Sequence, residues 1–137
     1  MPSLTHFCTI KASMRPTIIG QVPDGFRVEF PFTGTATGPH WEGTRPVRGT
    51  DHGRVRKDGS VALDITGVIG EGRQSVFYKA TGVSKPGGSP AEAFPQELFV
   101  FETGNEDLAF LNQAVAVGFG HADGPDLTLE VWLVAAD

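Results

Sequence analysis

Apolar and polar residues alternate along most of this chain, which is the pattern of β-strands with one buried face. The alternation is clearest in residues 26–33, 61–69 and 127–134, where Phe, Val, Leu or Ile recur at alternate positions. Together with residues 74–81, these segments are predicted to be antiparallel strands of one curved sheet. Further strands are expected at 5–12, 15–21, 40–48, 73–82, 96–103 and 113–121.

Turn-forming residues separate the predicted strands at short intervals. The chain has 18 Gly and 10 Pro, and Pro23-Asp24-Gly25, Asp58-Gly59 and residues 122–125 are of the types that tight turns favour. The one predicted helix covers residues 105–112, where Asn105 can cap the first turn. Since closure removes the unpaired edges of a sheet, we predict one all-β domain over residues 1–137. It is expected to be a single closed antiparallel β-barrel of about eight to nine strands with one short helix.

Residues 83–95 form the longest stretch without a strand pattern. They contain three prolines and two adjacent glycines. A loop longer than about a dozen residues is often a lid or a binding element. We therefore expect residues 83–95 to be an irregular loop that gates a pocket.

Composition and charge narrow the classes of function. Hydrophobic residues make up 39%, and 11 basic against 16 acidic residues give a net charge of −5, which argues against a nucleic-acid partner. No apolar run approaches the roughly 20 residues that cross a bilayer, so no membrane partner is expected. With a single Cys and no secretory signal at the N-terminus, a cytoplasmic location is expected.

Two groups of short motifs run through the chain from about residue 20 onward. The first comprises Gly34, Gly38-Pro39, Gly43, Gly49-Thr50-Asp51, Val55-Arg56, Asp58-Gly59 and Leu63-Asp64; the second comprises Phe101-Glu102-Thr103-Gly104, residues 109–112 and Val117-Gly118. In their order and spacing these motifs resemble the domain-of-unknown-function 3237 family.

The resemblance implies a small barrel related in shape to lipocalin-type barrels, often oligomeric, with an internal cavity open at one end. It implies no particular reaction. This chain has His52 where the family usually has Trp, and Thr66 where it usually has Arg. The two departures imply an altered pocket.

Asp64 is the first candidate for a catalytic acid. It lies in mid-strand between Leu63 and Ile65, and a carboxylate that faces an apolar cavity is desolvated, which raises its pKa towards neutrality. The alternative is a structural carboxylate paired with Arg56 or with backbone N–H groups. Tyr78, on the next predicted strand, is expected to donate a hydrogen bond to a substrate carbonyl, although a core tyrosine bonded to backbone explains it equally well.

His52 and Asp51 form a second candidate pair for acid and base chemistry. An imidazole titrates near neutral pH and works with a carboxylate in many enzymes. Neighbours on a strand point to opposite faces, however, so only one of the two is expected to face the cavity.

Four further residues are candidates for substrate binding. Trp41 and Trp132 offer flat walls for an aromatic ligand, although buried tryptophans often serve only the core. Arg56 belongs to a local basic patch, and Glu102 lies among apolar residues on a predicted strand. Glu130 lies in a similar position, and both glutamates are also secondary candidates for a catalytic acid.

No metal site and no cofactor are expected. The histidines are far apart and none belongs to a ligand pair: His6, His40, His52 and His121. The chain also lacks the Gly-rich motifs of nucleotide sites and the G-x-S-x-G motif of serine hydrolases.

Three classes of function remain open. The first is a cofactor-independent enzyme of isomerase, lyase, dehydratase or cyclase type, which acts on a small hydrophobic or aromatic substrate by acid and base chemistry. The second is a noncatalytic carrier or sensor of a small molecule, and the third is an interaction module that pairs through strand edges. A homodimer or higher homo-oligomer is compatible with all three.

Overall fold

Strands with apolar side chains on one face and mainly polar ones on the other account for most of this computed structural model, which describes residues 1–136. Every strand pairs with its neighbours in antiparallel fashion. The nine strands of the described residues are β1 Ser3–Met14, β2 Thr17–Val22, β3 Gly25–Thr37, β4 Arg45–Val55, β5 Val61–Ile69, β6 Val76–Pro86, β7 Glu92–Thr103, β8 Val115–Asp123 and β9 Asp126–Ala135.

The sheet closes on itself through β1. The strand order is β1-β9-β8-β7-β6-β5-β4-β3-β2, and β1 also pairs with β3, from Thr9 opposite Thr37 to Met14 opposite Phe32. Eight strands therefore form a closed barrel, and the extra strand β2 pairs with the first part of β3, where Thr17 lies opposite Glu29. The prediction of a closed antiparallel barrel is confirmed.

Two predicted boundaries are wrong. Residues 38–44 form a loop instead of the start of a strand, because Gly43 adopts a left-handed φ of 67° and the ladder begins only at Arg45. The expected loop over residues 83–95 is mostly strand, since β6 runs to Pro86 and β7 begins at Glu92. Only residues 87–91 connect them. The inward side chains of this hairpin are small or polar, so hydrophobic alternation does not reveal its strands.

The predicted helix is present as a 3-10 helix at Glu106–Gln113, and Asn105 caps it by accepting a hydrogen bond of 3.1 Å from the Asp107 amide. Its Leu108 and Leu111 are fully buried in the core. A second 3-10 segment, Gly72–Gln74, connects β5 and β6. Within residues 1–136, neither helical segment is long and apolar enough to cross a membrane.

A dry core fills the half of the barrel next to the longer helix. Phe7 is fully buried and makes edge contacts with Phe101 and Trp41, at centroid distances of 5.5 and 5.7 Å. Trp41 comes from the loop between β3 and β4, so this loop and the helix together close one end of the barrel. Any opening to the interior must lie at the opposite end.

Candidate functional site

The opposite half of the barrel contains a cavity of about 110 Å³. Most of its lining side chains are aliphatic or aromatic, and none of them is Lys, Arg or His. The polar lining residues are Asp51, Tyr78, Ser84 and Glu97. The cavity is therefore an apolar chamber that carries two carboxyl groups and no basic side chain.

The mouth of the cavity lies among the hairpins that join β4 to β5, β6 to β7 and β8 to β9. Half-buried residues of the lining come from the strand ends at this side: Met14 ends β1, Val61 begins β5, and Ala93 and Leu127 are the second residues of β7 and β9. The turn at residues 87–91 stands at this rim, where the Glu92 carboxylate accepts hydrogen bonds from the Gly88 amide and from His121.

Asp51 projects into the cavity from β4. Its Oδ1 accepts a hydrogen bond of 3.0 Å from the backbone N–H of Asp64, at a point where β4 and β5 have no ladder pair. Burial raises the pKa of Asp51 to about 6, although this backbone hydrogen bond and the nearby His52 oppose the rise. The carboxyl group therefore titrates close to neutral pH.

Glu97 projects into the same cavity from β7 and is almost completely buried. Its cross-strand neighbours are Gly82 on β6 and Gly118 on β8, which have no side chains to compete with it for space. A Cβ at Gly82 would lie 2.0 Å from the Gln96 carbonyl oxygen, so no other residue fits there. Burial, with a smaller contribution from the charge of Asp51, raises the pKa of Glu97 to about 8.

Tyr78 supplies a hydroxyl group to the chamber from β6. Its ring lies over Gly67 of β5, where an added Cβ would come within 2.4 Å of it, and it packs against Phe99 at a centroid distance of 5.2 Å. Burial, followed by the charge of Glu97, raises the pKa of Tyr78 above its ordinary value, so the hydroxyl keeps its proton.

The family model described as "Protein of unknown function (DUF3237)" matches residues 2–134, which is nearly the whole chain. The chain belongs to the DUF3237 family. A comparison with functionally curated proteins finds no match. Family membership thus agrees with the barrel and leaves the reaction open.

Solved structures similar to this DUF3237 chain share its fold at low sequence identity. A β-barrel-like protein from Acinetobacter baumannii has a TM-score of 0.84 at 18% identity, covering 98% of this chain and 97% of that one. Proteins of unknown function from Clostridium acetobutylicum and Rhodopseudomonas palustris have TM-scores of 0.83 and 0.81 at 19% and 21% identity. They cover 98% of this chain, and 98% and 99% of their own chains.

The prediction that Asp64 faces the cavity is wrong. Leu63 and Ile65 are the inward residues of β5, so the period of two places the Asp64 side chain on the exposed outer surface. Asp64 contributes to the site only through its backbone N–H, which donates a hydrogen bond to the Asp51 carboxyl group. The inward carboxylate is thus supplied by the neighbouring strand.

The predicted pair His52 and Asp51 divides between the two faces, as expected for strand neighbours. Asp51 lies in the cavity, whereas His52 is half-buried on the outside, where its Nδ1 is 2.6 Å from Oε1 of Glu29. Thr66 is also absent from the cavity lining, so neither departure from the family pattern lies in the cavity. Tyr78 lies in the chamber, and its role there stays a prediction.

None of the four predicted binding residues lines the cavity. Trp41 closes the far end of the barrel, donating a hydrogen bond of 3.1 Å to the Ala36 carbonyl while Arg45 stacks on its ring. Arg56 is exposed and donates to Ser60, Glu102 is exposed on β7, and Trp132 lies on the outer face against His6. Glu130, on the same face, accepts from Thr9 and contacts His6.

Glu97 and Ser84 are the polar cavity residues that sequence reasoning missed. Glu97 lies in phase with the inward Phe99 and Phe101, so the period of β7 does contain the signal. The outward residues of β7 include Leu98 and Val100, however, so both faces of the strand are apolar and the sequence does not indicate which one is buried. Within residues 1–136, no group of three or more His, Cys, Asp or Glu side chains is placed to hold a metal.

Proposed function

We propose that this protein is a cofactor-independent enzyme that moves a proton within a small, mainly apolar substrate. Isomerisation through an enol is the simplest such reaction, and lyase, dehydratase and cyclase reactions use the same proton transfers. The observation that carries the proposal is a pair of carboxyl groups in one apolar chamber, Asp51 with a pKa of about 6 and Glu97 with a pKa of about 8. Carboxyl groups whose environments separate their pKa values can act as base and acid at the same pH.

The two groups take different roles near pH 7. Asp51 is mostly ionised there and accepts a proton from the substrate carbon next to a carbonyl group. Glu97 is mostly protonated and donates its proton to the carbonyl oxygen, which Tyr78 holds by a hydrogen bond. The total charge of the two groups is unchanged by this step. In the second half of an isomerisation Asp51 gives its proton to a different carbon of the enol, and the enol hydroxyl returns its proton to Glu97 as the carbonyl forms again.

The chamber restricts the substrate by charge and size. Two acids and no basic side chain disfavour an anionic substrate, since its charge would be desolvated beside a carboxylate. The Glu97 carboxyl group and the Tyr78 hydroxyl line the chamber, so a bound molecule needs a polar head that can hydrogen-bond with them. A neutral molecule with one carbonyl or hydroxyl head and a compact hydrocarbon or aromatic body satisfies both conditions.

A noncatalytic carrier of such a molecule is the second candidate. Apolar side chains make up twelve of the sixteen lining residues, which suits simple binding of a hydrophobic ligand. A carrier needs the chamber and its mouth, but it does not need two carboxyl groups with different pKa values.

Deuterium exchange distinguishes the two candidates. A panel of small cyclic and aromatic ketones is incubated with the protein in D₂O, and loss of the α-hydrogen signals is followed by proton NMR. We expect exchange that Asp51→Asn and Glu97→Gln each slow by about 100-fold or more, while Glu102→Gln, a substitution of an exposed acid on β7, leaves it unchanged. The rate is expected to rise through pH 6 with ionisation of Asp51 and to fall above pH 8 with ionisation of Glu97.

Two results would contradict the proposal that the protein is an enzyme. One is exchange that persists at the full rate in both cavity variants. The other is saturable binding of a ketone, detected by calorimetry, without exchange at any pH; this result supports the carrier.

A further inference from the structure

The chamber holds a negative charge that its own lining does not balance. Its sixteen lining residues, all within residues 1–136, include the acids Asp51 and Glu97 but no Lys, Arg or His. Asp51 is mostly ionised near pH 7 and is only 8% exposed. The other ionisable groups that act on it, besides Glu97, are His52, Asp64 and Glu29 on the outer face of the sheet, and two of these three are acids. Folding therefore buries a carboxylate without placing a basic side chain beside it in the chamber.

The charge of a ligand decides how it affects this carboxylate. Any ligand that fills the chamber displaces water from Asp51, and a neutral ligand puts no opposite charge in its place, so the pKa of Asp51 rises further. A cation replaces the lost water by an opposite charge, and two charges attract more strongly in an apolar environment than in water. A buried charge is costly unless it is paired. The chamber therefore favours a cation over a neutral molecule of the same shape.

We propose that the chamber binds small apolar primary amines as their ammonium ions, with the nitrogen between Asp51, Glu97 and Tyr78. An ammonium group has three N–H donors, and these three side chains offer carboxyl and phenol oxygens as acceptors. Asp51 acts electrostatically on Glu97, and Glu97 acts on Tyr78, so the three groups lie within electrostatic reach of one another. The donors of the ammonium group thus find acceptors when it loses its own water.

The strands place the acceptors inside the barrel and apolar side chains at the mouth. Tyr78 lies towards the closed end of β6, and Asp51 and Glu97 lie in the middle of β4 and β7, whereas Met14 and Val61 lie at the mouth. The ammonium group is therefore inside and the hydrocarbon part points outwards. The cavity of about 110 Å³ suits a body of about one ring, since an engineered apolar cavity of about 150 Å³ binds benzene.

Calorimetric titration with benzylamine and benzyl alcohol tests the proposal, because the two molecules have nearly the same shape and differ in charge. At about pH 7.5, where Asp51 is ionised, we expect benzylamine to bind about tenfold or more tightly than benzyl alcohol. Asp51→Asn should abolish this preference and raise the Kd of benzylamine by about tenfold or more. Glu102→Gln, a substitution of an exposed glutamate on β7, is the matched control and should change neither Kd. Circular dichroism checks that each variant remains folded.

Glu97→Gln provides a second test that does not depend on the Asp51 variant. An ammonium group beside Glu97 lowers its pKa from about 8, so the wild type should release protons when benzylamine binds. The release is measured as a dependence of the binding enthalpy on the ionisation enthalpy of the buffer. Gln cannot ionise, so Glu97→Gln should still bind benzylamine but should release fewer protons.

Four results would overturn the proposal. They are benzyl alcohol that binds as tightly as benzylamine, an affinity for benzylamine that Asp51→Asn leaves unchanged, equal proton release from wild type and Glu97→Gln, and no binding of benzylamine at millimolar concentration. The proposal needs the chamber but not the proposed reaction, so the two fail separately. Benzylamine binding without deuterium exchange of any ketone would support this inference and count against the enzyme, whereas exchange without benzylamine binding would do the reverse.

Discussion

Replacing Glu97 by Gln is expected to stabilise the protein at alkaline pH. In the folded state Glu97 keeps its proton up to a pKa of about 8, against an ordinary value of 4.5. Between these values the folded protein binds a proton that the unfolded chain has released, so the free energy of unfolding falls as the pH rises. Gln keeps the shape of the side chain and cannot ionise, so the free energy of unfolding of the variant does not fall with pH for this reason.

The size of the effect follows from the two pKa values. At about 1.4 kcal/mol for each pKa unit, the interval from 4.5 to about 8 corresponds to a loss of about 5 kcal/mol once Glu97 is fully ionised. Water that enters through the mouth solvates the ionised group, so we expect a smaller difference of about 2 to 4 kcal/mol between variant and wild type at about pH 9. At about pH 5 both proteins carry a neutral side chain, and their stabilities should nearly coincide.

Urea unfolding followed by circular dichroism at about pH 5, 7 and 9 measures this difference. Glu102→Gln, a substitution of the exposed outward glutamate on the same strand, serves as the control and should show no gain with pH. A wild type equally stable at pH 5 and 9 would refute the burial argument. The same conclusion would follow if Glu102→Gln matched Glu97→Gln.

Three other predictions concern the chamber, the core and the mouth. Gly67→Ala places a methyl group 2.4 Å from the Tyr78 ring, so it should lower the free energy of unfolding, measured with urea, by about 1 to 3 kcal/mol. Gly104→Ala is the control, because Gly104 has open space around it, and it should lower the free energy of unfolding by less than about 0.5 kcal/mol. Burial raises the pKa of the Cys8 thiol to about 12, so a thiol reagent should modify native protein only as fast as it unfolds; rapid labelling would contradict the buried position. Glu92→Gln should speed amide hydrogen exchange in the turn between β6 and β7 with little change in global stability, and unchanged exchange would show that the carboxylate does not hold the turn.

The barrel follows from the sequence because its strands alternate with a period of two. The inward rows of β3, β5 and β9 are apolar and regular, so their strands are predicted within a few residues. Around residues 83–95 the inward side chains include Ser84, Ala93 and Pro95, which line a cavity in place of a dry core. A hydrophobic pattern cannot mark strands whose buried face is small or polar.

The candidate site was only half predictable for a related reason. Asp64 was the first candidate because it is an acid within an apolar strand. The alternation that directs Leu63 and Ile65 into the barrel, however, directs the Asp64 side chain outwards. Asp51 needed the reverse argument, that His52 is the outward neighbour, and Glu97 was hidden by the exposed apolar residues Leu98 and Val100 on the outer face of β7. Apolar residues on the outer face remove the contrast that would otherwise identify the buried side of a strand.

Carbon-13 NMR titration of the side-chain carboxyl carbons shows whether the chamber holds a base and an acid with separated pKa values. Asp51→Asn and Glu97→Gln assign the two signals. The account predicts apparent pKa values of about 6 for Asp51 and about 8 for Glu97, with the value for Glu97 lowered in Asp51→Asn because the repelling charge is gone. Two carboxyl groups that both titrate near pH 4, as solvated Asp and Glu do, would contradict it.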